Sequence, residues 1–298
     1  MDYDTLCYWV SEREEIRRRK LRGMTRLTRD PILQTYRFCN VRREDDRVTQ
    51  WIEENVRKPF AECDHLWLML AICRQINWPD TLGYCIHQGA WPTTAKFHPS
   101  YLAECLSERK AAGLKVYTGA YMIAAPPSGD KQTYIAEVVI GGLWQRRGEF
   151  EDYFFRRPIR EARRTLEGGL GQPQLMSEVH GMLMKTNGWG KFMAYQAVVD
   201  MRFTHLLNQA SDRYSWAAAG PGTLRGLNRL FGRDKAARLS QEQALVELRQ
   251  VHRRVTTSTG IDLDFSDTPN IMCEYDKYLR VKLGEGKPRA LYVPGRGS

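Results

Sequence analysis

The sequence predicts a mainly α-helical protein, and three observations support this fold class. Over most of the chain, apolar side chains recur three and four residues apart, which is the period of an amphipathic helix. Proline or glycine stands where several of these patterns stop, as at Pro31 and Gly113. Runs of β-forming residues occur only around Val116–Thr118 and Val138–Ile140, so the region 116–144 stays ambiguous.

The predicted elements begin with a charged helix whose apolar side carries Leu6, Trp9, Val10 and Ile16. We expect helices over 2–22, 32–41, 47–55, 64–76, 101–112, 149–166, 175–184, 191–207 and 241–256. The best linker candidate is Pro126-Pro127-Ser128-Gly129. The length allows one helical domain over 1–298, undivided or with two lobes, 1–125 and 130–298, around a cleft.

Charge indicates a polyanionic partner. The formal net charge is +10 and the pI is near 9.3, and neutralisation of phosphates drives sequence-independent nucleic-acid binding. One basic cluster lies between Arg13 and Arg29, where a solvated helix face is an equal explanation. A second lies in the tail, where glycines and Pro288 disfavour a helix; it contains Lys277, Arg280, Lys282, Lys287, Arg289 and Arg296.

Several classes of protein are excluded or disfavoured. The seven cysteines form no C-x-x-C pair, and the six histidines show no metal-ligand spacing, so we expect a reduced intracellular protein without a metal or other cofactor. There is no apolar run of membrane length and no signal peptide at the start. A P-loop nucleotide kinase is unlikely because G-x-x-x-x-G-K-[ST] does not occur.

The stretch WAAAGPGTLRGLNRLF, from Trp216 to Phe231, is the most informative motif. It predicts a tight Gly220-Pro221-Gly222 turn between two helices, with backbone angles that a Cβ would forbid. The helix after the turn would offer free N–H groups and its positive dipole end to a phosphate, beside Thr223, Arg225 and Arg229. An ordinary glycine-capped turn is the alternative.

Two further segments are dense in polar groups. If Gln34–Arg47 is largely helical, five of its side chains can line one wall of a cleft: Arg37, Asn40, Arg43, Glu44 and Arg47. A surface lattice of ion pairs explains the same spacing.

The second segment is Asp262–Arg289. One helical turn there would collect a thiol, carboxylates and an ammonium as a nucleophile, a base and an oxyanion donor: Cys273, Glu274, Asp276 and Lys277, with Arg280 next. A solvated helix with ion pairs three and four residues apart is the alternative.

Four segments together resemble one family almost end to end: DPILQTYRFCNVRREDDRVTQW, GWGKFMAYQAVVDMRF, AGPGTLRGLNRLFG and CEYDKYLRVKLGEGKPR. This family comprises the glycosylase-related thymine-hypermodification proteins of bacterial viruses, called α-glutamyl/putrescinyl thymine pyrophosphorylases or amino acid:DNA transferases. Similar sequences form the helical domain associated with 5-hydroxymethyluracil DNA kinases. The hairpin pattern resembles the helix-hairpin-helix of DNA glycosylases.

The resemblance implies a DNA-glycosylase-like helical fold with a cleft between two lobes. It implies that an amino acid or polyamine displaces phosphate or pyrophosphate from phosphorylated 5-hydroxymethyluracil in double-stranded DNA. The place of action would be the cytoplasm of the infected bacterium, with a 5-hydroxymethyluracil DNA kinase as an expected partner. The adduct would protect the viral DNA from host nucleases.

The resemblance leaves the catalytic carboxylate open between Glu274, Asp276 and Asp200. DNA contacts are expected from Gly220, Gly222, Thr223, Arg225, Arg229, Arg280, Lys282, Lys287 and Arg289. Base excision is disfavoured because Leu224 stands where lyase-active glycosylases carry a lysine. Two other functions stay open. One is a non-catalytic DNA-binding module that serves a kinase, and the other is a DNA glycosylase.

Overall fold

A computed structural model describes residues 2–119, 121, 123, 126, 129–167, 169–288 and 290–292. These residues form helices and no strand, apart from an isolated antiparallel bridge between Tyr36 and Leu291, so the mainly α fold class is confirmed. The chain divides into two compact units, 1–47 with 214–298 and 48–213. The predicted lobe boundary at 125–130 therefore falls inside the second unit. Pro127 and Ser128 of the expected linker lie outside the described residues.

The first unit is built from both ends of the chain. Its core joins Leu6 and Trp9 near the start of the sequence to Leu248, Met272 and Tyr275 near its end, all fully buried. Its helices are α1 (Tyr3–Leu21), α2 (Pro31–Thr35), α13 (Pro221–Leu230), α14 (Gln241–Thr259) and α15 (Thr268–Lys282), with one-turn 3-10 helices at Arg43–Asp45 and Phe265–Asp267.

Local sequence explains where these helices begin and end. The Asp30 carboxylate accepts the backbone N–H groups of Ile32 and Leu33, and Pro31 occupies the first turn of α2, where no N–H is needed. A capping box of Ser240 and Gln243 starts α14, which ends at Gly260 with φ +64°.

The second unit contains the most apolar helix, α4 (Leu66–Ile76), in which every residue is buried. It packs against α12, Lys191–Met201. The helices of this unit are α3 (Arg47–Ile52), α4, α5 (Pro79–His87), α6 (Pro99–Ala111), α7 (Lys131–Thr133), α8 (Gly141–Gln145), α9 (Arg147–Glu151), α10 (Arg157–Leu166), α11 (Met176–Met184) and α12 (Lys191–Met201), with π-helical turns at Glu53–Arg57, Tyr134–Ile140 and Asp152–Arg156. The ambiguous region 116–144 is thus helical from Lys131 onward.

Three helix predictions were wrong. The segment 36–42 is not helical, because the tail draws it into extended pairing: Arg37 N–H donates to the carbonyl of Ala290 at 3.1 Å. The helix expected to reach Leu207 ends at Met201. Residues 216–219 are also not helical, since the Gln241 side chain binds both backbone groups of Ala219 at 3.1 and 3.0 Å.

No helix in the described part of the chain is long and apolar enough to span a membrane.

Candidate functional site

A buried arginine shapes the segment 38–40. Arg13 of α1 is 5% exposed. Its guanidinium donates to the carbonyls of Cys39 at 3.0 Å and Phe38 at 3.3 Å and to Oδ1 of Asn40 at 2.6 Å. These carbonyls are therefore satisfied without a helix, and hydrogen bonds between a charged donor and buried acceptors are strong.

The start of α15 fixes the same segment from the other side. Asp267 accepts the N–H of Arg43 at 2.9 Å, and the amide of Asn270 donates to the Asn40 carbonyl at 3.4 Å. Asn40 itself is buried and donates to the carbonyl of Asp45 at 2.8 Å. The segment and α15 thus form one continuous polar cluster within the first unit.

Glu274 and Lys277 lie at the centre of this cluster. Oε2 of Glu274 accepts the N–H of Cys39 at 2.9 Å and lies 2.5 Å from Nζ of Lys277. The Lys277 ammonium also lies 4.6 Å from the centre of the Phe38 ring, within cation–π range. Glu274 is 7% exposed, whereas the Lys277 side chain is 20% exposed and so reaches the surface. We call Cys39, Glu274 and Lys277 the Glu274 cluster.

Of the five residues predicted to line a cleft wall, only two contact α15. Asn40 and Arg43 contact α15 as described, whereas Arg37, Glu44 and Arg47 are exposed. The continuous helical stripe assumed for these five residues does not exist, since residues 36–42 are not helical and only a one-turn 3-10 helix, Arg43–Asp45, precedes α3.

Asp276 does not have the surroundings of a free base. It is 1% exposed, and its two oxygens accept Nε of Arg225 at 2.9 Å and Nε of Arg229 at 2.8 Å. Arg280 lies 3.8 Å away. Asp276 is therefore an ion-pair centre that joins α13 to α15, because its helical position one turn above Met272 turns it inward.

The Cys273 thiol is equally unsuited to a nucleophilic role. It faces the Gly222 backbone, where a Cβ on Gly222 would collide with its sulfur and lie 3.2 Å from its Cβ. Burial raises the pKa of the Cys273 thiol to about 11, so the thiol is protonated at neutral pH.

The structural role of the glycines at the Gly-Pro-Gly turn differs from the predicted one. Neither Gly220, with φ −82°, nor Gly222 has a positive φ, so the conformational reason for glycine was wrong. Gly222 and Gly226 instead let α13 approach α15, since a Cβ on Gly226 would collide with the carbonyl of Met272. Thr223 also faces inward and donates to the Pro269 carbonyl at 2.8 Å.

The basic residues of the predicted DNA surface divide into two groups. Arg229 is engaged, with its side chain 8% exposed; it pairs with Asp276 and, at 2.6 Å, with Glu285. The hydrogen bond to Glu285 is the main cause that raises the pKa of Arg229. Lys282 and Lys287 are exposed, Arg225 and Arg280 are 41% and 38% exposed, and the expected contact Gly220 is half-buried. Arg289 lies outside the described residues.

Asp200 belongs to the second unit and is fully buried. It forms a bidentate ion pair with Arg74, with 2.6 Å between Oδ1 and Nη2. Arg74 also donates to Thr49 at 2.8 Å and Asn77 at 3.0 Å. Burial lowers the pKa of Arg74, but the nearby Asp200 carboxylate more than reverses this, so its pKa is raised. Asp200 is thus a structural ion-pair partner.

Sequence reasoning missed Arg13, Cys39 and Asp267. A signal for Arg13 was present, because it lies on the same face of α1 as Leu6, Trp9 and Ile16, where a charge needs a buried partner. Cys39 is exposed, yet desolvation of its thiol and the charge of Glu274 raise the pKa of that thiol. No local pattern brings it close to Glu274, which is 235 residues away along the chain. The described residues contain no group of His, Cys, Asp and Glu side chains that can hold a metal.

Comparison with known proteins shows the family to which the chain belongs. The chain matches the family described as "5-hmdU DNA kinase, helical domain" over residues 2–288. It therefore belongs to this family, which ties it to thymine hypermodification in DNA. No curated protein and no solved structure matches it.

Proposed function

We propose that this protein is a DNA base-hypermodification transferase of a bacterial virus, with the Glu274 cluster as its active site. It would transfer an amino acid or amine onto phosphorylated 5-hydroxymethyluracil in DNA and release phosphate or pyrophosphate. The main support for this proposal is that the Glu274 carboxylate and the Lys277 ammonium lie 2.5 Å apart. They lie beside the exposed residue Cys39, whose N–H the carboxylate accepts. Membership of the 5-hmdU DNA kinase helical-domain family supports the substrate class.

The chemistry proceeds in four steps. A nucleophile adds to C6 of the pyrimidine, and the resulting enolate expels the phosphate from the methylene on C5. The amine then forms a bond to the exposed methylene and loses a proton. Elimination of the nucleophile from C6 restores the aromatic ring, so phosphate and one proton are the only products besides the adduct.

Each step needs a group that the cluster contains. Glu274 is a suitable base to accept the proton that the ammonium loses. Lys277 can donate hydrogen bonds to the departing phosphate and stabilise its negative charge. Cys39 is the more exposed of the two thiols, because Cys273 is packed against α13. Desolvation and the Glu274 charge raise the pKa of the Cys39 thiol even further than that of Cys273, so its attack on C6 requires a base to remove its proton. Water is the alternative nucleophile at this step.

Exposed basic residues of the first unit suit a DNA backbone. Lys282 and Lys287 are exposed, Arg225 and Arg280 keep more than a third of their side-chain area in solvent, and the turn at Gly220 opens the ten-residue helix α13. Double-stranded DNA with modified thymine is therefore the proposed partner. The bacterial host cytoplasm is the proposed location.

One observation favours a second function, that of a non-catalytic DNA-binding module which serves a 5-hydroxymethyluracil DNA kinase. The Glu274 carboxylate is almost fully buried and already paired, so the pair can also act as a structural bridge. The family description names a kinase. A glycosylase is the weakest candidate, because Leu224 replaces the lyase lysine.

A single assay separates the three functions. The protein is incubated with oligonucleotides that contain 5-phosphomethyluracil, 5-hydroxymethyluracil or uracil, together with an amino-acid and polyamine mixture, and the nucleosides are weighed by mass spectrometry. A nucleoside adduct from the phosphorylated base supports the transferase. Abasic sites support a glycosylase, and binding without reaction supports the kinase module.

A further inference from the structure

A basic patch lies at the C-terminal end of α1, apart from the residues of the proposed active site. Residues 16–29 contain seven arginines and lysines and no acidic residue. Three of the seven, Arg17, Arg18 and Arg19, pair with Glu14 or Glu15 at distances of 2.6 to 3.1 Å. The other four are exposed and, in the described part of the chain, make no ion pair or side-chain hydrogen bond; we call them the basic patch: Lys20, Arg22, Arg26 and Arg29.

The stability of α1 does not explain this patch. Cations in the last turn of a helix complement its dipole, which accounts for Lys20. The helix ends at Leu21, however, and Arg26 and Arg29 lie in the loop beyond it, where the dipole has no further effect. Unpaired like charges on one short segment repel each other, so a bound polyanion would relieve a cost that the folded protein carries.

The loop that carries these cations is fixed by the rest of the unit. It begins at Gly23, whose φ of +72° closes the helix in the left-handed region. At its other end the Leu27 carbonyl accepts the Arg19 guanidinium at 2.8 Å, and the Thr28 hydroxyl donates to the Glu12 carboxylate at 2.6 Å. The backbone is therefore ordered while the cationic side chains stay in solvent, which lowers the entropic cost of binding a ligand.

We infer that the basic patch binds the phosphate backbone of duplex DNA, several base pairs from the proposed active site. Four exposed cations on a short, fixed segment complement a duplex that carries one negative charge about every 1.7 Å along its axis. Leu21 and Met24, which are 75% and 48% exposed, lie between these cations and can contact the sugars. Two apolar side chains bury too little area to anchor the segment in a membrane, so DNA is the better match.

Helix α1 sets the distance between the basic patch and the Glu274 cluster. Arg13 holds the Cys39 carbonyl, and Glu274 accepts the N–H of the same residue. From residue 13 to residue 21, the last of α1, the chain advances eight residues, or about 12 Å along the helix axis. Duplex DNA rises about 3.4 Å per base pair, so this distance corresponds to about three to four base-pair steps. That spacing rests on the proposed function, whereas DNA binding by the basic patch does not.

The test is fluorescence anisotropy of an unmodified duplex of about 20 bp, two helical turns, titrated with the whole chain at several salt concentrations. The double variant Arg22→Gln/Arg26→Gln removes two charges of the patch, and it should keep the Tm of the wild type because neither side chain has a partner in the protein. The matched control is Arg238→Gln/Arg253→Gln, which removes two exposed arginines elsewhere in the same unit. Both variants lower the net charge from +10 by two, to +8.

We expect the Arg22/Arg26 variant to bind the duplex at least about tenfold more weakly near 0.1 M salt. The slope of log K against log salt concentration should fall by about two, because two phosphate contacts are lost, and the control should bind like the wild type. Wild-type affinity of the Arg22/Arg26 variant overturns the inference. Equal weakening in both double variants does so as well, because total charge alone would then decide binding. This duplex contains no modified thymine and nothing has to react, so a failed transferase assay leaves the result unaffected.

Two further arms test the partner and the spacing. Flotation with vesicles of phosphatidylcholine and phosphatidylserine tests a membrane: vesicle binding that the Arg22/Arg26 variant loses, at unchanged DNA affinity, overturns the inference. For the spacing, a duplex with one 5-phosphomethyluracil carries neutral methylphosphonates about three to four steps from that base. They should weaken binding of the wild type and leave the Arg22/Arg26 variant unaffected, whereas equal losses in both proteins would refute the spacing.

Discussion

The close approach of α13 to α15 predicts a large effect of one methyl group at Gly226. In Gly226→Ala the new Cβ would collide with the backbone carbonyl of Met272 and lie 2.9 Å from its carbon. A backbone atom cannot rotate away, so the helices must separate. Overpacking of this kind costs about 1–3 kcal/mol, and the upper part of that range applies here. The gain in helix propensity from glycine to alanine, about 1 kcal/mol, offsets part of it.

The expected net loss is about 2 kcal/mol in the free energy of unfolding, or a Tm lower by about 4–8 °C. Urea unfolding followed by circular dichroism measures it. Gly181→Ala is the matched control, since Gly181 is also inside a helix, α11, but has no atom within 4 Å of the Cβ position. The control should become more stable by about 0.5–1 kcal/mol.

A second substitution tests the same contact by rescue. Gly222→Ala should destabilise because its Cβ meets the Cys273 sulfur, and Gly222→Ala/Cys273→Ala should regain about 1 kcal/mol. If Gly226→Ala is as stable as Gly181→Ala and Cys273→Ala gives no rescue, glycine does not set the spacing of these helices.

Three further predictions concern charged and sulfur-containing side chains. Cys273→Ser should keep DNA modification within about twofold, because its pKa of about 11 keeps the thiol protonated at neutral pH; loss of adduct in the mass-spectrometric assay would contradict this. Asp276→Asn should lower the free energy of unfolding by about 3 kcal/mol, because it leaves the nearly buried Arg229 without its carboxylate; stability equal to wild type would contradict this role. Hydrogen bonds from Arg229 and Lys235 lower the pKa of Glu285 from 4.5 to about 2, so its contribution to stability is present above pH 4.5 and is lost as pH falls from there toward 2. Glu285→Gln should therefore flatten the acid dependence of Tm in that window.

Periodicity predicted the helices that carry an apolar stripe. Helix α1 and the apolar α4 occur close to the predicted bounds, since burial of one face decides their structure locally. The segment 36–42 could not be predicted, because its extended form depends on Arg13, Glu274 and the chain near Ala290, which are distant in the sequence. Charge spacing alone had suggested a helix there.

The candidate site was predicted by residue type more than by role. The segment around Cys273–Lys277 does form one helix, but helical spacing does not say which side faces the core. Asp276 faces inward to Arg225 and Arg229, whereas Glu274 faces the segment 38–40. The glycines of the turn were recognised, yet their reason is the proximity of α15, which no local pattern contains.

We propose that the Glu274 cluster catalyses amine transfer to DNA. The most direct measurement is the incorporation of ¹⁵N-labelled amine into DNA that contains 5-phosphomethyluracil, counted by mass spectrometry for the wild type and for Glu274→Gln. We predict a labelled nucleoside with the wild type and at least about a hundredfold less with Glu274→Gln, at equal DNA affinity, because general base catalysis contributes at least that much. No label with the wild type, or equal label with both proteins, would contradict the claim.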